Sequence, residues 1–190
     1  MVQDCKISVA LDFVKQVPKN QMIVTETPRL ILRHLTWDDV NDLATIFADP
    51  VVMKFFPNTR TSEETKGHIE WIFSCYEKYG FGLWATIHKA DNQFIGRCGL
   101  IPQRVDGQEE VEIGYMLAKE FWGKGLATEA ASAIRDYGFE LGYNRLISLI
   151  DPGNIASQKV AMKVGLTYEK DTIIQEKTVR VYAIKRPTFP

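Results

Sequence analysis

Cysteine and histidine are scarce in this 190-residue chain, three of each. Cys5, Cys75 and Cys98 lie far apart, form no C-x-x-C pair and are odd in number, which argues against a disulfide framework and makes the cytoplasm the expected setting. His34, His68 and His88 are equally scattered, so no zinc-ligand spacing exists and no metal is expected. A dominant charge is missing too: 23 Lys and Arg stand against 24 Asp and Glu, a net charge of −1, so no global field draws in polyanions and nucleic acid is not an expected partner. No apolar run approaches the roughly 18 residues of a membrane span, and the N-terminus has no basic segment followed by an unbroken apolar stretch; no membrane association is expected. Repeats and low-complexity tracts are absent. What is there is 45% hydrophobic and 25% charged, the balance of a soluble globular chain, and its length suits one domain with a short extension.

From Thr27 onward short strands alternate with helices. "RLILRHL" (29–35) reads as a strand. Thr36 with Asp39, and Thr61 with Glu64, are capping-box pairs that each precede apolar residues at helical spacing, giving one helix through Val40, Leu43 and Phe47 and a second through Ile69, Ile72 and Tyr76 that stops at Gly80. Asp91-Asn92 and Asp106-Gly107 are turn pairs that join "FGLWATIHK", "QFIGRCGLIP" and "EVEIGYML" into three neighbouring strands. A third helix runs from Leu126 to Gly142, "RLISLI" (145–150) is a strand, Asn154 and Gly165 bound a short helix, and two strands close the chain. The expected fold is therefore a three-layer α/β (α+β) domain over 25–190, with a mixed central sheet of about seven strands and helices on both faces. Residues 1–24 form an extension of undecided structure, since Ile7, Val9, Leu11 and Phe13 alternate like a strand while Ile7, Ala10, Leu11 and Val14 fit a helix.

Chemistry concentrates in "FWGKGLATEA" (121–130). With a helix starting near Gly125, the N–H groups of Gly123 to Thr128 lack intrahelical partners, and two residues without side chains let an anion approach them. The pattern alone fits a plain strand-to-helix turn equally well. It is not a dinucleotide fingerprint, because Thr128 stands where a third glycine is needed, and no G-x-x-x-x-G-K-[ST] occurs anywhere.

Three stretches, "ETPRLILR", "EIGYMLAKEFWGKGLATEA" and "NIASQKVAMKVGL", together with the element order over about 25–186, resemble the Gcn5-related N-acetyltransferases, and within them the branch like the RimJ/RimL ribosomal-protein N-terminal acetyltransferases. The resemblance implies a transferase that moves the acetyl group of acetyl-coenzyme A to a primary amine by direct attack. It implies that the turn of Trp122, Gly123, Lys124, Gly125, Leu126, Ala127 and Thr128 carries the pyrophosphate, and that the preceding strand is splayed so that Tyr115, Met116 and Leu117 face the pantetheine arm. Glu120 departs from the family's glutamine or arginine and is expected to point to solvent, since a carboxylate would repel a diphosphate.

An amine nucleophile near neutral pH must lose a proton. Glu112, on the strand entering the cleft and on one face with Gly114 and Met116, is the candidate base, against the plainer reading of a solvated carboxylate. The N–H of Met116 or Leu117 is the candidate oxyanion donor. Asn154 caps the late helix on local grounds; the resemblance adds contact with the coenzyme arm, and makes Ser157 the acid near the sulfur with Tyr168 as a weaker substitute. Trp37, Trp71 and Trp84 are expected as core or cleft wall, and Cys98 as buried packing. The acceptor is either a protein N-terminal α-amine or a small-molecule amine, in a pocket walled by the first two helices and the loop "FADPVVMKFFPNTR" with Phe55, Phe56 and Pro57 as an apolar floor. The competing reading is a coenzyme A-binding sensor without turnover; whether the chain forms a homodimer is left open.

Overall fold

The structure, a computed structural model, describes residues 22–187. Most of the extension expected over 1–24, including its undecided segment and Cys5, lies outside the described residues. Thr36 and Thr61 begin helices as their sequence signatures require. Asp39 accepts the Thr36 N–H at 2.8 Å, and Glu64 accepts the Thr61 N–H at 2.7 Å while the Thr61 hydroxyl accepts the Glu64 N–H at 3.2 Å. A single 3-10 turn (Trp37–Asp39) then leads into α1 (Val40–Ala48), and α2 (Ser62–Tyr79) ends at Gly80 in the left-handed conformation, φ 73°.

β1 (Ile23–Glu26) and β2 (Leu30–Arg33) precede these helices; β3 (Leu83–His88), β4 (Gln93–Val105) and β5 (Gln108–Leu117) follow them. α3 (Leu126–Glu140) crosses to β6 (Arg145–Ile150), and α4 (Ile155–Val164) leads to β7 (Thr167–Ile174) and β8 (Lys177–Lys185). Among the described residues the sheet has eight strands in the order β1-β2-β3-β4-β5-β6-β8-β7, one more than expected, because Ile23–Glu26 pairs with β2 and lies partly in the segment assigned to the extension. The layer count stands: α1 and α2 cover one face around Leu43, Phe47, Ile69 and Ile72, and α3 and α4 cover the other around Leu126, Ile134, Ala161 and Val164.

Every pairing is antiparallel except β5 with β6, and that pair meets at a single register position, Glu112 with Ile147. A parallel neighbour needs a crossover, which α3 supplies. The start of α3 is thereby delivered to the C-terminal end of β5, where the two strands have already parted. No helix among the described residues is long and apolar enough to cross a membrane.

Candidate active site

The parting of β5 and β6 opens a cavity of about 750 Å³, lined by Glu112 to Leu117 of β5, Ser148 to Ile150 of β6, the turn before α3 and the first turn of α4. Backbone alternation fixes which groups of β5 face it. Val105 and Gln108 flank the two-residue turn Asp106-Gly107 and so form a hydrogen-bonded pair; counting in twos along the register reaches Arg97 with Met116. Met116 therefore spends its N–H on β4, while the odd-numbered residues present theirs to the open edge. The carbonyls agree: that of Ile113 accepts the Ser148 hydroxyl at 2.9 Å, and that of Leu117 accepts the Trp122 indole N–H at 2.8 Å. Of the two oxyanion candidates, the amide aimed into the cavity is that of Leu117.

At the turn, Gly123 and Gly125 take φ of 73° and 77°, angles a side chain resists. The Trp122 N–H is used by Lys119, and the first bond of α3 runs from the Glu129 N–H to the Gly125 carbonyl at 3.0 Å. Between them, the amides of 123 to 128 donate to no acceptor among the described residues. They sit at the positive end of a 15-residue helix. The Lys124 carbonyl is held from outside: Arg29 Nη1 donates to it at 2.9 Å, and Arg29 Nε donates to Glu129 at 2.6 Å, while Glu129 also accepts the Arg29 N–H at 2.9 Å and the Thr27 hydroxyl at 2.6 Å. Two elements a hundred residues apart thus clamp the turn in shape.

Of the residues expected from sequence, Glu112, Tyr115, Met116, Leu117, Trp122, Gly123, Gly125, Leu126, Ala127, Thr128, Asn154 and Ser157 all line the cavity. Lys124 does not: its ammonium lies over the Phe121 ring, 5.1 Å from the centroid. Glu120 is exposed and outside the lining, as its charge requires. Glu112 is buried rather than solvated; Gln103 Nε2 donates to it at 2.7 Å, and burial pushes its carboxyl from the ordinary 4.5 up to about 7. Asn154 caps α4, its side-chain oxygen accepting the Ser157 N–H at 3.1 Å. The Ser157 hydroxyl lies 3.0 Å from the Tyr115 hydroxyl, which donates to the Ser157 carbonyl at 2.9 Å. Burial raises Tyr115 above the ordinary phenol range, so it stays protonated. Tyr168 is outside the lining, half-exposed on β7 with its ring against Tyr182.

The acceptor end differs from expectation in two respects. Val51, Val52, Lys54, Phe55 and Phe56 line the cavity but Pro57 does not, and neither α1 nor α2 contributes a lining residue. These helices are spent covering the sheet. Trp84 is core, Trp37 is half-buried against Phe73, and Trp71 is exposed, stacked on His68 rather than buried. Cys98 is fully buried, its thiol pushed up by burial. Among the described residues no group of His, Cys, Asp or Glu could hold a metal ion. Sequence reasoning missed the Thr27–Arg29–Glu129 clamp, Gln103 and the Tyr115–Ser157 contact; the "ETPRLILR" stretch contained the first of these without showing its partner.

A family model for the acetyltransferase (GNAT) domain matches residues 29–167. Protein YkkB of Bacillus subtilis (strain 168) is 38% identical over 164 residues, 84% of this chain and 94% of that protein. The crystal structure of an acetyltransferase from Agrobacterium tumefaciens str. C58 superposes with a TM-score of 0.75 at 26% identity, over 85% of this chain and 94% of that one. RimL, a ribosomal L7/L12 α-N-protein acetyltransferase solved in complex with coenzyme A, shares the fold with a TM-score of 0.72 at 19% identity, over 86% and 97% of the two chains.

Proposed function

Since this chain belongs to the acetyltransferase (GNAT) family and is an acetyl-coenzyme A-dependent N-acetyltransferase, we propose that its parted β5–β6 edge and the turn before α3 hold that co-substrate and that the acetyl group passes directly to a primary amine. The observation that carries this is the run of unpaired amides from 123 to 128, a cradle whose backbone no described residue satisfies. The fit is chemical as well as spatial: the cradle is positive where a diphosphate is negative, and the edge beside it offers amide and carbonyl groups to an arm that itself contains amides.

Acetyl-coenzyme A supplies the activated acyl group. The Leu117 N–H points where the thioester oxygen gains charge and needs no reorganisation to stabilise it. Glu112, poised near neutral pH, takes the proton that the amine loses. The Ser157 hydroxyl, held against Tyr115, gives a proton to the departing sulfur; Tyr115 orients Ser157 and does not itself titrate in the working range. Asn154 keeps its amide NH2 free for the coenzyme arm while its oxygen caps α4. The domain is proposed to run from the first strand to the C-terminus, and the acceptor to be a protein N-terminal α-amine or a small-molecule amine. The fold shared with RimL supports the first of these.

Thiol release from acetyl-coenzyme A, read against N-terminal peptides and small amines, tests the reading. Saturable, amine-dependent release is expected, with acetyl-coenzyme A protecting the protein against heat while ATP and NAD do not. Tight binding with no turnover on any amine would instead make the chain a coenzyme A sensor.

A further inference from the structure

Among the described residues Arg97 is the buried cation of the cavity lining, and the transfer step leaves its chemistry unused. It sits on β4, 7% exposed, and among the described residues its guanidinium makes no hydrogen bond or ion pair; Nε is buried with no partner. Its neighbours make this worse. The guanidinium lies 5.5 Å from the centroid of the Phe47 ring, which Arg60 also approaches at 4.9 Å; repulsion from Arg60 adds to burial in lowering Arg97 to about 10, and the attraction of Glu112, which makes no hydrogen bond to it, offsets this only in part. His68, next to the same ring, is driven down to about 2 and stays neutral, so it adds no third positive charge.

A second buried arginine shows what is missing. Arg33, 8% exposed, is gripped by both oxygens of Asp39 at 2.8 and 2.7 Å. A guanidinium out of water needs such a planar, two-oxygen partner. Arg97 has the burial without the partner, and it lines the cavity.

Register places it relative to the base. Arg97 pairs with Met116 and Ile101 with Glu112, so Arg97 and Glu112 stand on the same face of the β4–β5 pair, four residues or about 14 Å apart along the strands, with the Gly99–Gly114 pair between them. An amine presented to Glu112 and Leu117 therefore has a cation on the same face of the same cavity. We propose that Arg97 receives a carboxylate of the acceptor, so that the acceptor is an amine whose own molecule carries a carboxylate: an amino acid, or a peptide with an acidic residue beside its amino terminus. This rests on the acetyl-transfer reading above. One guanidinium facing one carboxylate matches a single negative charge; a phosphate dianion would meet Glu112 on the same face.

The test uses matched pairs that differ only in that charge: free amino acids against their α-amides, and Ala-Asp-amide against Ala-Asn-amide. Wild-type kcat/KM should favour the charged member by roughly tenfold or more, because the amide leaves a buried cation unpaired. Which pair shows the preference separates a free amino acid from an acidic peptide. In Arg97→Met the preference should vanish, in Arg97→Lys it should be partly kept, and the KM for acetyl-coenzyme A should hold within about twofold. Equal use of both members by the wild type, or an unchanged preference in Arg97→Met, overturns the proposal while leaving acetyl transfer intact. If no amine is acetylated, acetyl transfer fails, and Arg97 is read by binding alone: with coenzyme A present, N-acetyl amino acids should raise the melting temperature of the wild type but not of Arg97→Met, and N-acetyl amino acid amides should raise neither. Absence of any carboxylate-dependent rise overturns it there too.

Discussion

Glu112→Gln separates the catalytic reading of this carboxylate from a structural one, because the two readings leave different marks on stability and on rate. The Glu112 carboxyl has the ordinary value of 4.5 in the unfolded chain and is held at about 7 in the fold by burial. A raised carboxyl helps the folded state only while it carries its proton. That contribution is complete below the unfolded value and is lost as the pH climbs through the folded one. At roughly 1.4 kcal/mol per pH unit the loss between the two values is about 3 kcal/mol. Glutamine cannot ionise, keeps the shape and keeps an oxygen for the Gln103 amide. Urea melts of both proteins at pH 5 and pH 8 should show the variant gaining about 2 to 3 kcal/mol on the wild type over that interval, since every other titrating group is common to both. Activity should move the other way. The base is about a tenth ionised at pH 6 and about nine-tenths at pH 8, so wild-type kcat/KM carries a roughly tenfold rising limb from this group on top of the amine's own ionisation. The variant should lose that limb and about 10²- to 10⁴-fold in rate. A variant that is stabilised at pH 8 yet retains wild-type turnover would refute the role; parallel pH–stability curves within about 0.5 kcal/mol would refute the burial argument beneath it.

Gly123→Ala places a side chain at φ 73° with open space around it, so it should cost about 1 to 2 kcal/mol in denaturant melts and raise the KM for acetyl-coenzyme A about tenfold. Gly107→Ala, at φ 81° in the β4–β5 turn and equally uncrowded, should cost a similar amount and leave that KM unchanged. Glu129→Gln unclamps the turn from Arg29 and Thr27; steady-state kinetics should show a raised KM for acetyl-coenzyme A with little change in kcat. Its own carboxyl is held below the ordinary value, so the stability it adds is present at neutral pH and lost on acidification, and the variant's deficit should shrink in acid melts. Ser157→Ala and Tyr115→Phe should each lower kcat, more with alanine, whereas Tyr168→Phe, outside the cavity, should leave it unchanged; equal losses in all three would sink the assignment of Ser157.

Local signals were the legible ones. Capping boxes at Thr36 and Thr61, the turn pairs at 91–92 and 106–107 and the glycines at 123 and 125 each report a backbone need that neighbouring residues state outright, and the structure realises every one. Glu112, Asn154 and Ser157 converge on the cavity as expected, though by strand register and a cap rather than by any proximity in sequence. Illegible features depend on distant partners. Ile23–Glu26 becomes a strand only because β2 is beside it, and Arg29 clamps a turn about a hundred residues away. Lys124 looked like an anion ligand by position; an aromatic ring three residues back claims its ammonium instead. The first two helices were expected at the acceptor pocket, but their apolar faces are consumed by the sheet, leaving the loop between them to do the lining. Arg97 could not be singled out at all, since a buried cation without a hydrogen-bond partner among the described residues is visible only once its surroundings are known.

The lone register contact between β5 and β6 turns the sheet into two sections joined by a seam, and that seam sets a ceiling on how robust the protein can become. Substitutions that zipped the strands further would add backbone pairing and thermal tolerance, and would seal the slot proposed for the coenzyme. Selection for hardiness and selection for turnover should therefore pull in opposite directions at residues 113–117 and 148–150, and a heat-hardened variant altered there is expected to emerge sturdy and inert.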